Sequence, residues 1–109
     1  VSHLTTHVLD TTNGRPAAGV AVLLTGPDGT VVATATTDVD GRVGTLGPDV
    51  LAPGDWTLTF ATGDYWRAAG VTAFHPRVAV VVTVPTDPAP HYHVPLLVNP
   101  FAYSTYRGS

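Results

Sequence analysis

Cysteine is absent from the 109-residue chain, which excludes disulfides, a thiol nucleophile and thiolate metal sites together. Lysine and glutamate are absent too. The cations are Arg15, Arg42, Arg67, Arg77 and Arg107, and all eight acids are Asp. Without Glu there can be no His-Glu-x-x-His zinc helix, and neither a Gly-x-Ser-x-Gly elbow nor a phosphate-binding loop occurs. Charge is scarce, at 12% of residues against a globular norm of roughly 25%. With no Arg cluster and a formal net charge of -3, the sequence predicts no nucleic-acid partner. No apolar run is long enough to cross a bilayer, so no membrane partner is expected. No basic stretch followed by an apolar one opens the chain, which predicts a cytoplasmic protein, or a periplasmic one if a leader was removed.

The length fits one domain over residues 1–109, small enough that association with further copies would help stability. Eleven Gly and ten Pro punctuate short apolar runs, the pattern of an all-β sandwich. Eight strands are predicted near residues 3–9, 20–26, 30–37, 43–46, 55–62, 77–84, 91–98 and 103–107. Asn13-Gly14, Asp28-Gly29 and Asp40-Gly41 supply the positive φ that tight turns demand. One short helix is predicted over Gly63 to Gly70, with Asp64 as its cap, Gly70 as its stop and Trp66 as its anchor. Val78 to Val84 is apolar on both faces and reads as a central strand, one face on the core and the other covered by a partner subunit. Trp56, Phe60, Phe74 and Phe101 read as core or interface aromatics, and Tyr103 as packing.

Histidine is the acid-base residue this composition offers. His91 and His93 are two apart in a predicted strand and share a face, while Tyr92, Val94, Leu96 and Val98 take the core side. On residue type alone, the outward pair reads first as solvated surface, with a grip for a transition metal or a part in a catalytic site as the alternatives. His7 falls opposite Leu4, Thr6 and Val8 by the same alternation, whereas His3 and His75 fit no catalytic position. Ser104 and Tyr106 would share one face of the last strand, and Tyr103, Thr105 and Arg107 the other.

Three separated motifs, Leu4-Thr5-Thr6-His7-Val8-Leu9-Asp10-Thr11, Asp40-Gly41-Arg42 and the ending Tyr106-Arg107-Gly108-Ser109, closely resemble those of the 5-hydroxyisourate hydrolases, the purine-catabolic branch of the transthyretin-like family. The resemblance runs from Leu4 to Ser109. The terminal tetrapeptide is one that the hormone-carrying transthyretins lack. Departures are small: Asp38 stands where many relatives have Asn, and Phe74-His75-Pro76 replaces an aromatic pair before Pro, with His75 a potential incidental metal ligand.

What the resemblance implies is an eight-stranded transthyretin-like β-sandwich with one short helix, assembled as a homotetramer, a dimer of dimers, with catalytic residues lining a channel between subunits. It implies hydrolysis of 5-hydroxyisourate to 2-oxo-4-hydroxy-4-carboxy-5-ureidoimidazoline, with no cofactor and no metal. His7, Arg42, His93 and Tyr106 are the implied catalytic residues, and His7, Arg42, Tyr106, Arg107, Gly108 and Ser109 the implied substrate contacts. His7 and His93 would share the proton transfers, Arg42 would polarise the carbonyl and hold the ring, and Tyr106 would orient substrate; which His is the base stays open. The alternatives are a transthyretin-like carrier that binds a small ligand without turnover, and a metal-binding sandwich using His91 and His93.

Overall fold

The computed structural model describes residues 2–108. Alternation dominates the local structure. In β1 (Leu4–Asp10), Leu4, Thr6, Val8 and Asp10 are buried while Thr5, His7 and Leu9 are half-buried on the opposite side. The chain continues through β2 (Arg15–Pro16), β3 (Ala21–Thr25), β4 (Val31–Thr36), β5 (Arg42–Val43) and β6 (Gly54–Phe60). It then forms α1 (Thr62–Ala68), β7 (Val78–Val84), β8 (Tyr92–Asn99) and β9 (Ala102–Thr105). The sandwich is therefore the expected one with a short extra strand, β2, whose two residues lie beside Leu9 and Asp10. Gly14, Gly29 and Gly41 all take the positive φ that their turns require.

One sheet has the order β2-β1-β8-β9, with β5 also pairing to β1; the other has the order β4-β3-β6-β7. The β1–β8 pairing is parallel and joins the two ends of the sequence, Leu4 opposite Tyr92 through Asp10 opposite Val98. Leu4, Val8, Leu96 and Val98 of the first sheet share one buried cluster with Val22, Leu24, Trp56, Leu58 and Phe60 of the second. Phe74 and Phe101 lie outside it, 74% and 73% exposed.

β7 corrects the expectation of a central strand. It pairs only with β6 among the described residues and forms the edge of its sheet. Val78, Val80 and Val84 face the core, but Ala79, Val81 and Thr83 are exposed. Apolar residues on both faces reflect a strand whose outer face is uncovered in the single chain.

The helix also starts differently from expectation. Its N-cap is Ala61, with no side-chain cap, and Asp64 sits inside the first turn, paired with Arg67 at 2.6 Å. Its C-terminus follows the prediction: Gly70 at φ 72° lets its own N–H reach the Arg67 carbonyl (3.0 Å) and the Val71 N–H reach the Trp66 carbonyl (2.9 Å). Trp66 is buried and anchors the helix. Tyr65 ties it to β1 by donating its hydroxyl to Asp10 at 2.7 Å. Burial pulls the Asp10 pKa upward, but that hydrogen bond and those from the Asn13 side chain and the Asn13 and Thr12 N–H groups outweigh it and hold the carboxyl below its usual range. No helix among the described residues is long and apolar enough to cross a membrane.

Candidate active site

The outward face of the first sheet gathers the residues that carry chemistry. β5 pairs antiparallel with β1 so that Arg42 lies directly opposite His7, and β8 pairs in parallel so that His93 lies opposite Thr5. With strands ~4.8 Å apart and a rise of ~3.3 Å per residue, His7 and His93 are diagonal neighbours on one surface. The sequence motifs at residues 7, 42 and 93 thus converge although they lie in three separate stretches of chain.

Arg42 is delivered by the turn before it. The Asp38 carboxylate accepts the N–H groups of Asp40 (2.9 Å) and Arg42 (3.0 Å), and the Gly41 N–H donates to the Asp38 carbonyl at 2.9 Å. Only an acceptor oxygen is used at Asp38, so an Asn side chain could do the same there. Gly41 presses on β1: its carbonyl accepts the Val8 N–H at 2.7 Å, and a Cβ on it would collide with the Val8 carbonyl oxygen. At φ 74° and with that contact, glycine is required at this position.

The histidines differ in their surroundings. His7 Nε2–H donates to the Asp40 carbonyl at 2.8 Å, which leaves Nδ1 as its available nitrogen. Thr5 Oγ1 is 2.9 Å from His91 Nε2 and 2.8 Å from His93 Nδ1. Burial, reinforced by the nearby Arg42, His7 and His91, lowers the His93 pKa below the ordinary imidazole value, so the ring is neutral near pH 7. Thr5, Arg42, Val43, Gly44, His91 and His93 line a hollow of about 290 Å³ on this face. A neutral imidazole beside a guanidinium fork is an arrangement suited to activating water against a polarised carbonyl.

The terminal segment divides. Gly108 returns to the site as a bridge to His93, its N–H donating to the His93 carbonyl at 2.8 Å. Tyr106 and Arg107 instead line a second hollow of about 330 Å³, with Val80, Val82, Tyr92 and His93. There the Arg107 guanidinium carbon is 5.1 Å from the Tyr92 ring centroid. Within one chain His93 is the wall common to both hollows, and Tyr106 and Arg107 are not gathered with His7 and Arg42. Ser109 lies outside the described residues.

Two other histidines resolve on geometry. His3 is buried, accepting the Leu51 N–H on Nδ1 (2.9 Å), donating from Nε2 to the Ala89 carbonyl (2.6 Å) and packing 5.2 Å from the Tyr92 ring. It staples two loops beneath the start of β8, a role that sequence reasoning missed because strand alternation stops at Leu4. His75 packs edge-on against Phe74 and Tyr103 at 4.9 and 5.0 Å. Among the described residues no group of three or more His or Asp side chains could hold a metal ion.

The family described as HIUase/Transthyretin matches residues 4–108. The 5-hydroxyisourate hydrolase of Caulobacter vibrioides is 44% identical over 115 residues, covering 100% of this chain and 100% of the relative. Among solved structures, Klebsiella pneumoniae 5-hydroxyisourate hydrolase superposes with a TM-score of 0.89 at 36% identity, over 99% of this chain and 94% of that one. Sea bream transthyretin in complex with thyroxine superposes nearly as well, with a TM-score of 0.88 at 32% identity over 97% and 94% of the two chains. With the sandwich, the convergent motifs and a match over almost its whole length, this chain belongs to the HIUase/Transthyretin family.

Proposed function

We propose that this chain is a 5-hydroxyisourate hydrolase, opening the six-membered ring to 2-oxo-4-hydroxy-4-carboxy-5-ureidoimidazoline in urate degradation. The observation that carries the reading is the convergence of His7, Arg42 and His93 on one sheet face through the β5–β1–β8 register. Full-length similarity to proteins of that name supports it, whereas overall shape does not choose between hydrolase and carrier, since a transthyretin superposes almost equally well.

In the proposed reaction His93 is the general base, because its lowered pKa keeps it unprotonated near neutrality. It takes a proton from water as the water oxygen bonds to the ring carbonyl carbon. Arg42 stabilises the developing oxyanion and holds the ring edge with its planar fork. The carbon–nitrogen bond then breaks, and the proton that His93 took from water passes to the leaving nitrogen, with the bare Nδ1 of His7 able to accept it and hand it on. Tyr106 orients substrate, and Arg107, Gly108 and Ser109 complete its contacts. No cofactor is needed.

The assembly we propose is a homotetramer, a dimer of dimers of this single domain, in the cytoplasm or, if a leader was removed, in the periplasm. The exposed, charge-poor edge at β7 and the separation of Tyr106 and Arg107 from Arg42 within one chain favour a site completed between subunits. The deciding experiment generates 5-hydroxyisourate in situ with urate oxidase and follows its ultraviolet decay. Faster decay with this protein supports the hydrolase; binding of small aromatic ligands with only the spontaneous decay rate would establish the carrier instead.

A further inference from the structure

Thr5 lies on β1 two residues before His7, on the same outward face, and its hydroxyl reaches both rings of the His-x-His pair. Oγ1 is 2.9 Å from His91 Nε2 and 2.8 Å from His93 Nδ1. A threonine hydroxyl has one proton to give. It can donate to only one of the two rings, so at least one ring must donate an N–H to Oγ1, and a single oxygen constrains both tautomers. What matters for chemistry is which way the His93 contact runs. With Thr5 donating to His91 Nε2, neutral His93 carries its proton on Nδ1 and keeps a lone pair on Nε2. With Thr5 donating to His93 Nδ1, the proton sits on Nε2 and the ring has no free nitrogen left for water.

We propose that Thr5 is a positioning residue for His93: it accepts the Nδ1–H of His93, donates to His91 Nε2, and thereby holds His93 in the tautomer whose Nε2 takes the proton from water. The inference rests on the reading of His93 as the base. A general base needs an orienting acceptor on its far nitrogen, and that partner must serve both the neutral and the protonated ring. Thr5 does so, because the Nδ1–H stays on Oγ1 when Nε2 gains its proton. The groups around His93 are Arg42 from β5, His7 from β1 and His91 from the residues preceding β8. All are basic, and among the described residues no carboxylate hydrogen-bonds to the His93 ring. The orienting acceptor of this site is therefore a neutral hydroxyl. Atoms and electrons balance: the water oxygen forms the new carbon–oxygen bond, its proton goes to Nε2, and that proton passes to the leaving nitrogen, returning His93 to its starting tautomer.

The roles of the two contacts are unequal. His91 only receives the Thr5 proton, and its ring is exposed. Replacing it leaves Thr5 free to give that proton to solvent while still accepting from His93. Thr5→Val, isosteric but without a hydroxyl, removes the acceptor itself.

The test compares Thr5→Val, Thr5→Ser, His91→Ala and His93→Ala in the in situ 5-hydroxyisourate assay, alongside ¹⁵N NMR of the imidazole nitrogens in the unmodified protein and in Thr5→Val. We expect Thr5→Val to lower kcat on the order of 10- to 10²-fold with KM little changed. Thr5→Ser should retain most of the rate, and His91→Ala should lose less than Thr5→Val. The NMR spectrum of the unmodified protein should show His93 protonated on Nδ1 and bare on Nε2 above its titration, a preference lost in Thr5→Val. This reading needs no variant to fold. A His93 protonated on Nε2 overturns the inference, as does a Thr5→Val enzyme with undiminished kcat while His93→Ala is inactive. Full turnover in His93→Ala would instead overturn the base assignment, and the inference with it.

Discussion

Gly108 lies flat against His93: its N–H donates to the His93 carbonyl at 2.8 Å, and a Cβ built on it would fall 2.6 Å from the imidazole Cδ2. The absence of a side chain at residue 108 lets the terminal segment close over the ring without displacing it. Gly108→Ala should therefore move either the segment or the ring. Small displacements of a positioned group cost on the order of 10²-fold in rate, so kcat should fall on that scale while the melting temperature stays near that of the unmodified protein. Unchanged kinetics would mean that the terminal segment has no part in placing His93.

The lowered pKa of His93 predicts the pH behaviour. Burial is the first cause, followed by the charge of Arg42 and then by the neighbouring His7 and His91. If neutral His93 is the base, the acid limb of kcat/KM should lie below the ordinary imidazole value of ~6.5. The linkage has a definite sign. The unfolded chain binds the proton more readily, so stability falls as pH drops from the unfolded-state value towards the depressed folded one, and levels off below it. Arg42→Met removes the guanidinium charge and should raise the His93 pKa, read by NMR titration of the ring; an unmoved or lowered value would show that the Arg42 charge does not act on His93.

Arg42 itself should tolerate little change. Its fork can meet a carbonyl and an adjacent amide edge together, whereas an ammonium is a point charge on a flexible stem. Arg42→Lys should keep the turn, whose hydrogen bonds use backbone and Asp38, yet lose roughly 10-fold or more in kcat/KM, a loss of about 1.4 kcal/mol in transition-state binding. A Lys variant with normal kcat/KM would reduce the role of Arg42 to charge alone.

How far the sequence could be read differs from element to element. Alternation in Leu4–Asp10 and Tyr92–Asn99 correctly separates Thr5, His7 and His93 from the core residues, because side-chain period is a local property of a strand. It does not carry through the tail: the strand ends at Thr105, and Tyr106 and Arg107 line one hollow together, with Arg107 beside Tyr92. Register is not local. The partnership of Thr5 with His93 joins residues 88 apart through parallel pairing, and no pattern in either segment announces it. The strand Arg15–Pro16 exists only through its contact with Leu9 and Asp10, so it has no periodicity to read. Val78 to Val84 shows the converse limit: the composition marks apolar faces, but whether the strand ends a sheet depends on what lies beside it.

Tyr65 and Asp10 supply a stability prediction separate from catalysis. Burial first, then the hydrogen bond and charge of Asp10, raise the Tyr65 pKa to about 12, so the phenol remains a donor to the carboxylate across the working pH range. Tyr65→Phe deletes a hydrogen bond to a charged acceptor and should cost about 1–2 kcal/mol, measured by urea unfolding, with turnover preserved. Asp10 has a depressed folded pKa, so its contribution is present above the unfolded value and lost as pH falls through the folded one. The difference between Tyr65→Phe and the unmodified protein should accordingly shrink in acid. A difference that is constant down to the acid transition would assign the effect to packing.

Assembly can be tested at two of the sheet edges, β7 and β9. β7 ends one sheet and β9 ends the other, and the hollow between Val80–Val82 and Thr105–Arg107 shows that these edges lie on the same side of the sandwich. Unpaired strand edges with apolar surroundings are templates for pairing with another chain, and neither β7 nor β9 carries a charged side chain to discourage it. Sedimentation should give a mass four times the 11.3 kDa of the chain. Hydrogen exchange should show protection of the outward-facing amides of Val78–Val84 and Ala102–Thr105, which have no partner strand among the described residues. Both signatures should disappear together on dilution, and turnover should fall with them if the site is completed between subunits. A fully active species of 11.3 kDa with freely exchanging edges would place the whole site within one chain, and would require Tyr106 and Arg107 to act from the hollow beside Tyr92 or not at all.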